Sequence, residues 1–415
     1  MPFSFLHAAD LHLDSPFTSV GGFPDDVATT LREASLRAWD ALVRTAIERE
    51  VAFVLLAGDI YDGAERGIRA QRAFLAGVTH LADHGIRTFL VHGNHDPVGQ
   101  GWTAIDGFPD LVHPFASSKV ESVEFTAGDE RVVVHGISYA TSAMEENLSL
   151  RFPRATGGGF QIGLLHANVG GSATGHQDYS PCSVDDLRRP GYQYWALGHV
   201  HKRHNPLEGD PWVVYPGNLQ GRTTRPSEQG AKGAVIVHVD HGVASAPELV
   251  VLDQVRFADV AVEIDHLADV GAVLDALEQA AAPARHDGRA MVVRATIGGR
   301  GALHAELSSP RRRAELLAEL RRSGAESTPF VWWNQVVWQT RPAGEVIDLR
   351  RRDDFISDLV RFMDDTPAHQ RSTWADDLPA DVLRELGDLL PDGDDDAIWQ
   401  AARLAALDAV TGASS

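Results

Sequence analysis

The apolar positions of the first hundred residues change period repeatedly, and the changes mark alternating strands and helices. Residues 3–9 (FSFLHAA) are a short apolar run that stops at Asp10. Between residues 25 and 50, Leu31, Trp39, Leu42 and Ile47 recur at helical spacing, and 51–57 (VAFVLLA) is again a nearly unbroken apolar run. A run that short, without alternation, suits a strand covered on both faces. Residues 68–84 return to the helical period, and 87–92 (RTFLVH) supply a third strand. This β-α-β-α-β order predicts an α/β layered core with right-handed crossovers.

After Pro97 the helical period fades. Short β-type segments at 120–126, 131–137, 160–165, 192–197, 212–215 and 233–239 are joined by Gly- and Pro-rich turns. They predict a second, more antiparallel half that completes a two-sheet α/β sandwich over residues 1–255. The pattern restarts at 256 with an alternating strand (257–263), a helix (267–281) and a strand (290–296). A helix over 310–322 follows, with Ser309 as cap and Pro310 at its first position, and FVWWNQVVW closes the unit as a strand. Residues 256–344 therefore read as a small α+β capping domain. The remainder, 345–415, is an acidic helical tail, in which DDFISDLVRFMDD (353–365) sets Phe355, Leu359, Phe362 and Met363 on one stripe. Such a stripe suits a docking helix or a helix packed on its own core. Trp332, Trp333 and Trp338 fall on both faces of their strand and read as packing residues.

Composition narrows the class. With 415 residues, 44% of them hydrophobic, the chain can bury one large core or two smaller ones. No run approaches the ~18 apolar residues of a membrane span, and the start MPFSFLHAADLHL reads as a strand rather than a signal peptide. A cytoplasmic protein without membrane attachment is expected. The single cysteine, Cys182, excludes an internal disulfide and a cysteine-based zinc cluster. Against 37 Lys and Arg stand 58 Asp and Glu, a net charge of −21. That balance argues against a broad nucleic-acid-binding face, although bound divalent cations or a local basic patch reverse the field at one site. Arg311, Arg312, Arg313, Arg321 and Arg322 on the 310–322 helix are either such phosphate contacts or a solvated basic face.

The chemistry lies where the apolar runs stop. TFLVHGNHDPVG (88–99) ends a strand in Gly-Asn-His-Asp, richer in function than a turn requires. Four other motifs are of the same kind: DLHLD with Asp10 and His12, GDIYDG with Asp59 and Asp62, GLLHAN with His166, and GHVHKRH with His199 and His201. In open α/β sheets ligands bind at the carboxyl ends of strands. Asp10 and His12 are two residues apart, as are His199 and His201, so in extended chain each pair faces one side. Neighbouring strand ends would then aim seven donors, Asp10, His12, Asp59, Asn94, His166, His199 and His201, at one spot. Carboxylate, imidazole and amide without thiolate suit manganese, iron or catalytic zinc. Seven donors are too many for one catalytic ion, but they fit two ions about 3.5–4 Å apart sharing one carboxylate.

The ordered set D-x-H, G-D-x-x-D, G-N-H-D, G-x-x-H and G-H-x-H resembles the calcineurin-like metallophosphoesterases. Within them, HAADLHLDSPF, GDIYDG and YPGNLQGR (Tyr215–Arg222) resemble the SbcD-like DNA repair exonucleases of the YhaO-type branch. The resemblance covers residues 3–240 well and loosens beyond. It implies one cation held by Asp10, His12, Asp59 and His201, and another by Asp59, Asn94, His166 and His199. It makes His95 the group that meets the scissile phosphate or protonates the leaving oxygen, with Asp96 holding its imidazole. Asp62 reads as a residue behind the ligands or a loop residue. Lys202, Arg203 and Arg222 become candidate substrate contacts. The resemblance further implies manganese dependence, DNA as substrate, an SbcC-like coiled-coil ATPase partner docked near the C-terminal helices, and a homodimer. Alternatives are a phosphoesterase of nucleotides or phosphoproteins, and a non-catalytic subunit that recognises DNA ends.

Overall fold

Two β-sheets carry the catalytic-type motifs, and their strands are the apolar runs of the sequence. The computed structural model describes residues 1–15, 17, 23–63, 67–99, 107–170, 179–285, 288–342 and 355–365. The strands of the two sheets are β1 (Phe3–Ala8), β2 (Phe53–Ala57), β3 (Arg87–Val91), β4 (Val112–Pro114), β5 (Glu121–Ala127), β6 (Glu130–Gly136), β7 (Phe160–His166), β8 (Tyr194–Gly198), β9 (His204–Leu207), β10 (Trp212–Tyr215), β11 (Gly233–Asp240), β12 (Val243–Ala244) and β13 (Glu248–Val251). The first sheet runs β12-β11-β1-β2-β3-β4, with β13 on β11; the second runs β5-β6-β7-β8-β10-β9.

Parallel pairing aligns the ends that matter. Ala8 lies beside Leu56 and Ala57 beside Val91, so β1, β2 and β3 stop at one edge. In the second sheet His166 at the end of β7 lies beside Gly198 at the end of β8.

Three apolar layers hold the sandwich. Phe5, Phe53, Leu55, Phe89 and Val91 meet Val132, Val134, Ile162, Leu164 and Tyr194 between the sheets, with Phe5 stacked on Phe53 at 5.0 Å. The opposite residues of the first sheet, Leu6, Val54, Leu56 and Leu90, bury against Trp39 and Leu42 of α1 (Asp25–Glu48) and Phe74, Val78 and Leu81 of α2 (Ile68–Asp83). The outer face of the second sheet, with Leu165, Trp195, Leu197 and Val213, is covered by Leu148, Phe152 and Leu187, the last on α3 (Val184–Arg188). Strands buried on both faces explain why the sequence shows unbroken apolar runs rather than alternation.

The expectation of a more antiparallel second half is corrected. β6, β7, β8 and β10 pair in parallel, and among the described residues only the flanking β5–β6 and β9–β10 pairs of this sheet are antiparallel. The segment 233–239 also joins the first sheet, antiparallel to β1, rather than extending the second. Residue periodicity reports which faces are buried but carries no information on strand direction.

Layer thickness is set partly by Gly163 on β7. A Cβ there would stand 2.3 Å from Cε3 of the fully buried Trp195 ring. Gly163→Ala is expected to destabilise the chain by roughly 1–3 kcal/mol, the range for overpacking a rigid core. Urea unfolding would show it as a lower midpoint at unchanged slope.

The chain falls into two units: Met1–Asp259 with Ala281–Arg294 and Arg321–Asn334, and Val260–Ala280 with Ala295–Leu320 and the described residues from Gln335 on. The first unit contains both sheets. The remaining elements are β14 (Val255–Glu263), α4 (Val270–Ala281), β15 (Ala290–Gly298), α5 (Leu303–Leu307), α6 (Pro310–Glu326), β16 (Val331–Trp338) and α7 (Phe355–Asp365), with the strands ordered β14-β15-β16. The first turns of α1 bury Val27, Leu31 and Ala34 against Val255, Phe257, Ala290, Val292 and Trp332, all within the first unit.

On α7 Ser357, Val360 and Met363 are buried, whereas Phe362 is 70% exposed. The expected stripe through Phe362 and Met363 is thus split between two faces. Other than α7, the tail from 345 lies outside the described residues.

Candidate metal centre

The loops that leave β1 and β2 do not continue as extended chain. Asp10 (φ 52°), His12 (φ 43°), Asp59 (φ 51°) and His199 (φ 104°) all adopt the left-handed conformation that residues with a Cβ avoid. Each such residue costs on the order of 1–3 kcal/mol and persists only where its surroundings impose it. Backbone hydrogen bonds do so here: Asp10 N–H donates to the Gly58 carbonyl at 3.1 Å, His12 N–H to that of Asp59 at 3.0 Å, and Leu13 N–H to that of Ile60 at 2.9 Å. The two loops are zipped together, and Asp10, His12 and Asp59 share a face because of tight turns. The extended-chain rationale for the Asp10–His12 spacing is replaced by this one.

Asp10, His12, Asp59 and His166 are at most 2% exposed. The His199 N–H donates to both Asp10 carboxylate oxygens at 3.1 Å, and the His95 N–H donates to Asp59 Oδ1 at 3.0 Å. Asp59 Oδ2 lies 3.8 Å from His12 Nε2 and 3.5 Å from His166 Nε2. His12 Nε2 lies 3.3 Å from His201 Nε2, and His166 Nε2 lies 3.0 Å from Asn94 Oδ1. The ring of His199 sits 5.3 Å from that of His166. Gly93 permits this crowding, since a Cβ there would fall 2.3 Å from Asp59 Oδ1 and 2.9 Å from the His166 ring. All seven candidate ligands thus cluster where the two sheets end.

Two features of this cluster fit divalent cations. Ligand atoms of Asp10, His12 and His201 lie within 4.8 Å of one another, and so do those of Asp10, Asp59 and His166, with Asp10 in both groups. The second feature is an excess of lone pairs. The Nδ1 of His166 meets the Ala57 carbonyl at 2.9 Å and the Nδ1 of His201 meets Glu228 at 2.6 Å. Each Nδ1 therefore carries the proton, and each Nε2 turns a lone pair inward. The His166 lone pair then faces another acceptor, Asn94 Oδ1. Donor atoms about 3 Å apart are what neighbouring ligands bonded at about 2.1 Å to one ion would show.

Charge points the same way. Burial, and next the charge of Asp59, push the Asp10 carboxyl well above its usual range. Burial raises Asp59 to about 7. Burial likewise lowers His166 to about 4 and, with Arg222 nearby, holds His12 well below the usual imidazole range. Neutral imidazoles beside two carboxylates that resist ionisation are a site short of positive charge.

The catalytic candidates fall on one flank. His95 Nδ1 is held by Asp62 Oδ1 at 2.8 Å, and Asp62 Oδ2 accepts from Arg222 Nη1 at 2.8 Å. The imidazoles of His12, with Nδ1 at 3.6 Å, and of His95 hold the Asp62 carboxyl far below its usual range, and the Asp62 bond raises the His95 imidazole. Asp96 was expected to orient His95, but the structure gives that contact to Asp62. The oxygens of Asp96 accept instead from the Gly93 N–H at 2.8 Å and the Ile60 N–H at 2.9 Å, with His92 Nδ1 at 3.2 Å. Asp96 ties the Asn94 loop to the Asp59 loop.

Of the basic candidates, Arg222 reaches the site through Asp62. The Arg203 guanidinium donates to the Pro247 carbonyl at 3.0 Å, and Lys202 is exposed. The α6 arginines are engaged within the chain. Arg311 and Arg312 pair with Glu315, Arg322 with Glu326, Arg321 donates to the Trp333 and Asn334 carbonyls, and Arg313 lies over the Trp338 ring. This favours the solvated-face reading of that helix. Two residues that sequence reasoning passed over also belong to the site: Glu228 beside His201, and buried Lys232, whose Nζ donates to the His201 carbonyl at 2.7 Å.

Residues 3–203 match the calcineurin-like phosphoesterase family, and residues 257–341 match the middle domain of metallophosphoesterase YhaO. The metallophosphoesterase YhaO of Bacillus subtilis (strain 168) is 34% identical over 363 residues, 87% of each chain. The chain belongs to the calcineurin-like metallophosphoesterases, in the YhaO family. More distant are the DNA double-strand break repair proteins Mre11 of Aeropyrum pernix, 27% identical over 52% of this chain and 53% of that protein, and of Thermoplasma acidophilum, 25% identical over 57% and 62%. The family is one of hydrolases whose fold implies a dimetal site, and the clustered donors are the candidate metal-binding residues of this chain.

Proposed function

We propose that this metallophosphoesterase is a two-cation phosphodiesterase that cuts DNA at ends, as an exonuclease or endonuclease. The observation that carries the reading is the convergence of the seven donors with His95 and Asp62 set beside them. Asp10, His12, Asp59 and His201 would hold one cation, and Asp59, Asn94, His166 and His199 the other, with manganese as the metal. Bound cations supply Lewis-acid stabilisation of charge on the phosphoryl group.

The chain's own groups do the rest. Asp62 holds His95 by Nδ1, so the opposite ring nitrogen can protonate the leaving oxygen. Arg222 fixes Asp62 and puts a positive charge on the same flank. The side chain of His95 is 40% exposed, within reach of a polymeric substrate.

Distant likeness to proteins named for DNA double-strand break repair supports DNA as the substrate. The same family resemblance supports an SbcC-like coiled-coil ATPase as partner, a homodimer and a cytoplasmic location; among the described residues no helix is long and apolar enough to cross a membrane.

The test is a manganese-dependent digestion series on single-stranded, blunt, recessed and hairpin DNA, with and without the ATPase. End-dependent cleavage is expected. Intact DNA with concurrent hydrolysis of a nucleotide or phosphoprotein would overturn the DNA assignment. That second reading has its own support, because the net charge is −21 and the α6 arginines are occupied.

A further inference from the structure

His201 lies at a loop end, and nothing in its own motif fixes the ring. Its Nδ1 is held by Glu228 Oε1 at 2.6 Å, from a short 3₁₀ turn (Pro226–Glu228) twenty-seven residues further on. Glu228 is buried, and its second oxygen is also spoken for. Oε2 accepts from Asn218 Nδ2 at 2.7 Å and from the Arg222 N–H at 3.0 Å. Burial works against the charged form, yet the His201 hydrogen bond and the neighbouring positive charges hold Glu228 well below the usual carboxyl range. Both of its oxygens thus act as acceptors, one of them toward the imidazole.

Lys232 locks the two segments together. Its buried Nζ donates to the carbonyls of His201 and of Ser227, one on the ligand-bearing loop and the other on the turn that carries Glu228. Asn218 donates through the same amide to the Gln220 carbonyl at 2.8 Å, and the Leu219 N–H donates to the Asp10 carbonyl at 3.4 Å. One carboxylate therefore binds the His201 ring, the strand-end segment behind Asp10 and the backbone of Arg222.

We propose that Glu228 is a positioning residue for the metal centre: it fixes His201 in the Nδ1–H tautomer, aims Nε2 at the site, and sets the affinity for one of the two cations. The proposal rests on the two-cation reading given above and adds to it a residue from a stretch, TTRPSEQGAKG, that has no motif. An anionic acceptor on the far nitrogen raises the basicity of a ligating imidazole and holds its plane. Removal of such partners typically weakens metal affinity by about 10- to 100-fold.

The experiment uses the full chain, stripped of metal, and the variants Glu228→Gln and Glu228→Asp. Manganese binding is followed by titration calorimetry and by the electron paramagnetic resonance of the free ion. Wild type should take up two ions. Glu228→Gln should bind one as wild type does and the other about 10- to 100-fold more weakly, and Glu228→Asp should fall between. In the metal-free chain, ¹⁵N-histidine spectra should show His201, identified by its loss in His201→Asn, as the Nδ1–H tautomer in wild type and as a mixture in Glu228→Gln. That spectroscopic readout needs no metal, and a natively folded variant is confirmed by unchanged signals of distant histidines such as His135. If Glu228→Gln binds both ions as tightly as wild type, or keeps the His201 tautomer, the assignment of Glu228 is wrong while the two-cation reading stands. If wild type itself binds fewer than two ions, the two-cation reading fails first.

Discussion

Asp59→Ala is expected to remove essentially all hydrolytic activity, with a fall in kcat on the order of 10³-fold or more. The size follows from what the side chain does. Its oxygens lie between His12, His166 and the His95 amide, where, on the two-cation reading proposed above, its carboxylate would serve both cation sites. Lewis-acid stabilisation is worth several kcal/mol, and about 4 kcal/mol is already a factor near 10³. The variant should also bind fewer manganese ions at saturation than wild type, measurable by elemental analysis after gel filtration. The Asp59 backbone carbonyl receives the His12 N–H, so that tie between the two loops does not depend on the side chain removed. A cooperative unfolding transition near that of wild type separates lost chemistry from lost structure. Residual activity within tenfold of wild type would mean that the two sites do not depend on Asp59.

This site was legible because its parts are local. Each motif sits at the end of an apolar run, and parallel strands covered on both faces must present their ends at one edge, so Asp10, Asp59, Asn94 and His166 could be grouped without coordinates. What was not legible depends on direction and distance. Pairing direction leaves no trace in a period of two, which is why the half that holds β6, β7 and β8 was expected to be more antiparallel. Adjacency misled at Asp96: the carboxylate next to His95 turns back to cap the Gly93 and Ile60 amides, and the one that reaches the ring, Asp62, is thirty-three residues earlier. Glu228 is harder still, an acidic residue in a Pro-Ser turn that composition marks only as loop. Phe362 shows the limit of a helical stripe, since a residue one step from buried Met363 is turned by about 100° and lies exposed.

His95→Ala and Asp62→Asn should separate the proton donor from the group that tunes it. Loss of a positioned general acid costs about 10²- to 10⁴-fold, so His95→Ala should fall in that range with a leaving group that needs protonation. With a p-nitrophenyl ester, whose leaving group departs unaided, the loss should be far smaller. Asp62→Asn leaves the imidazole in place and removes the anion at its Nδ1. The Asp62 hydrogen bond is the main cause of the raised His95 imidazole, so without it His95 loses its proton at lower pH. A general acid works while protonated; activity should therefore be retained on the acidic side and decline at a lower pH than in wild type. The basic limb of kcat against pH moves to the left. Arg222 gives an internal control, because its guanidinium would face an uncharged amide at Asp62→Asn, and Arg222→Gln in the same background should then add little to the loss. If the basic limb stays put in Asp62→Asn, or if His95→Ala suffers equally with both leaving groups, His95 is not the acid, and its role shrinks to contact with the phosphate.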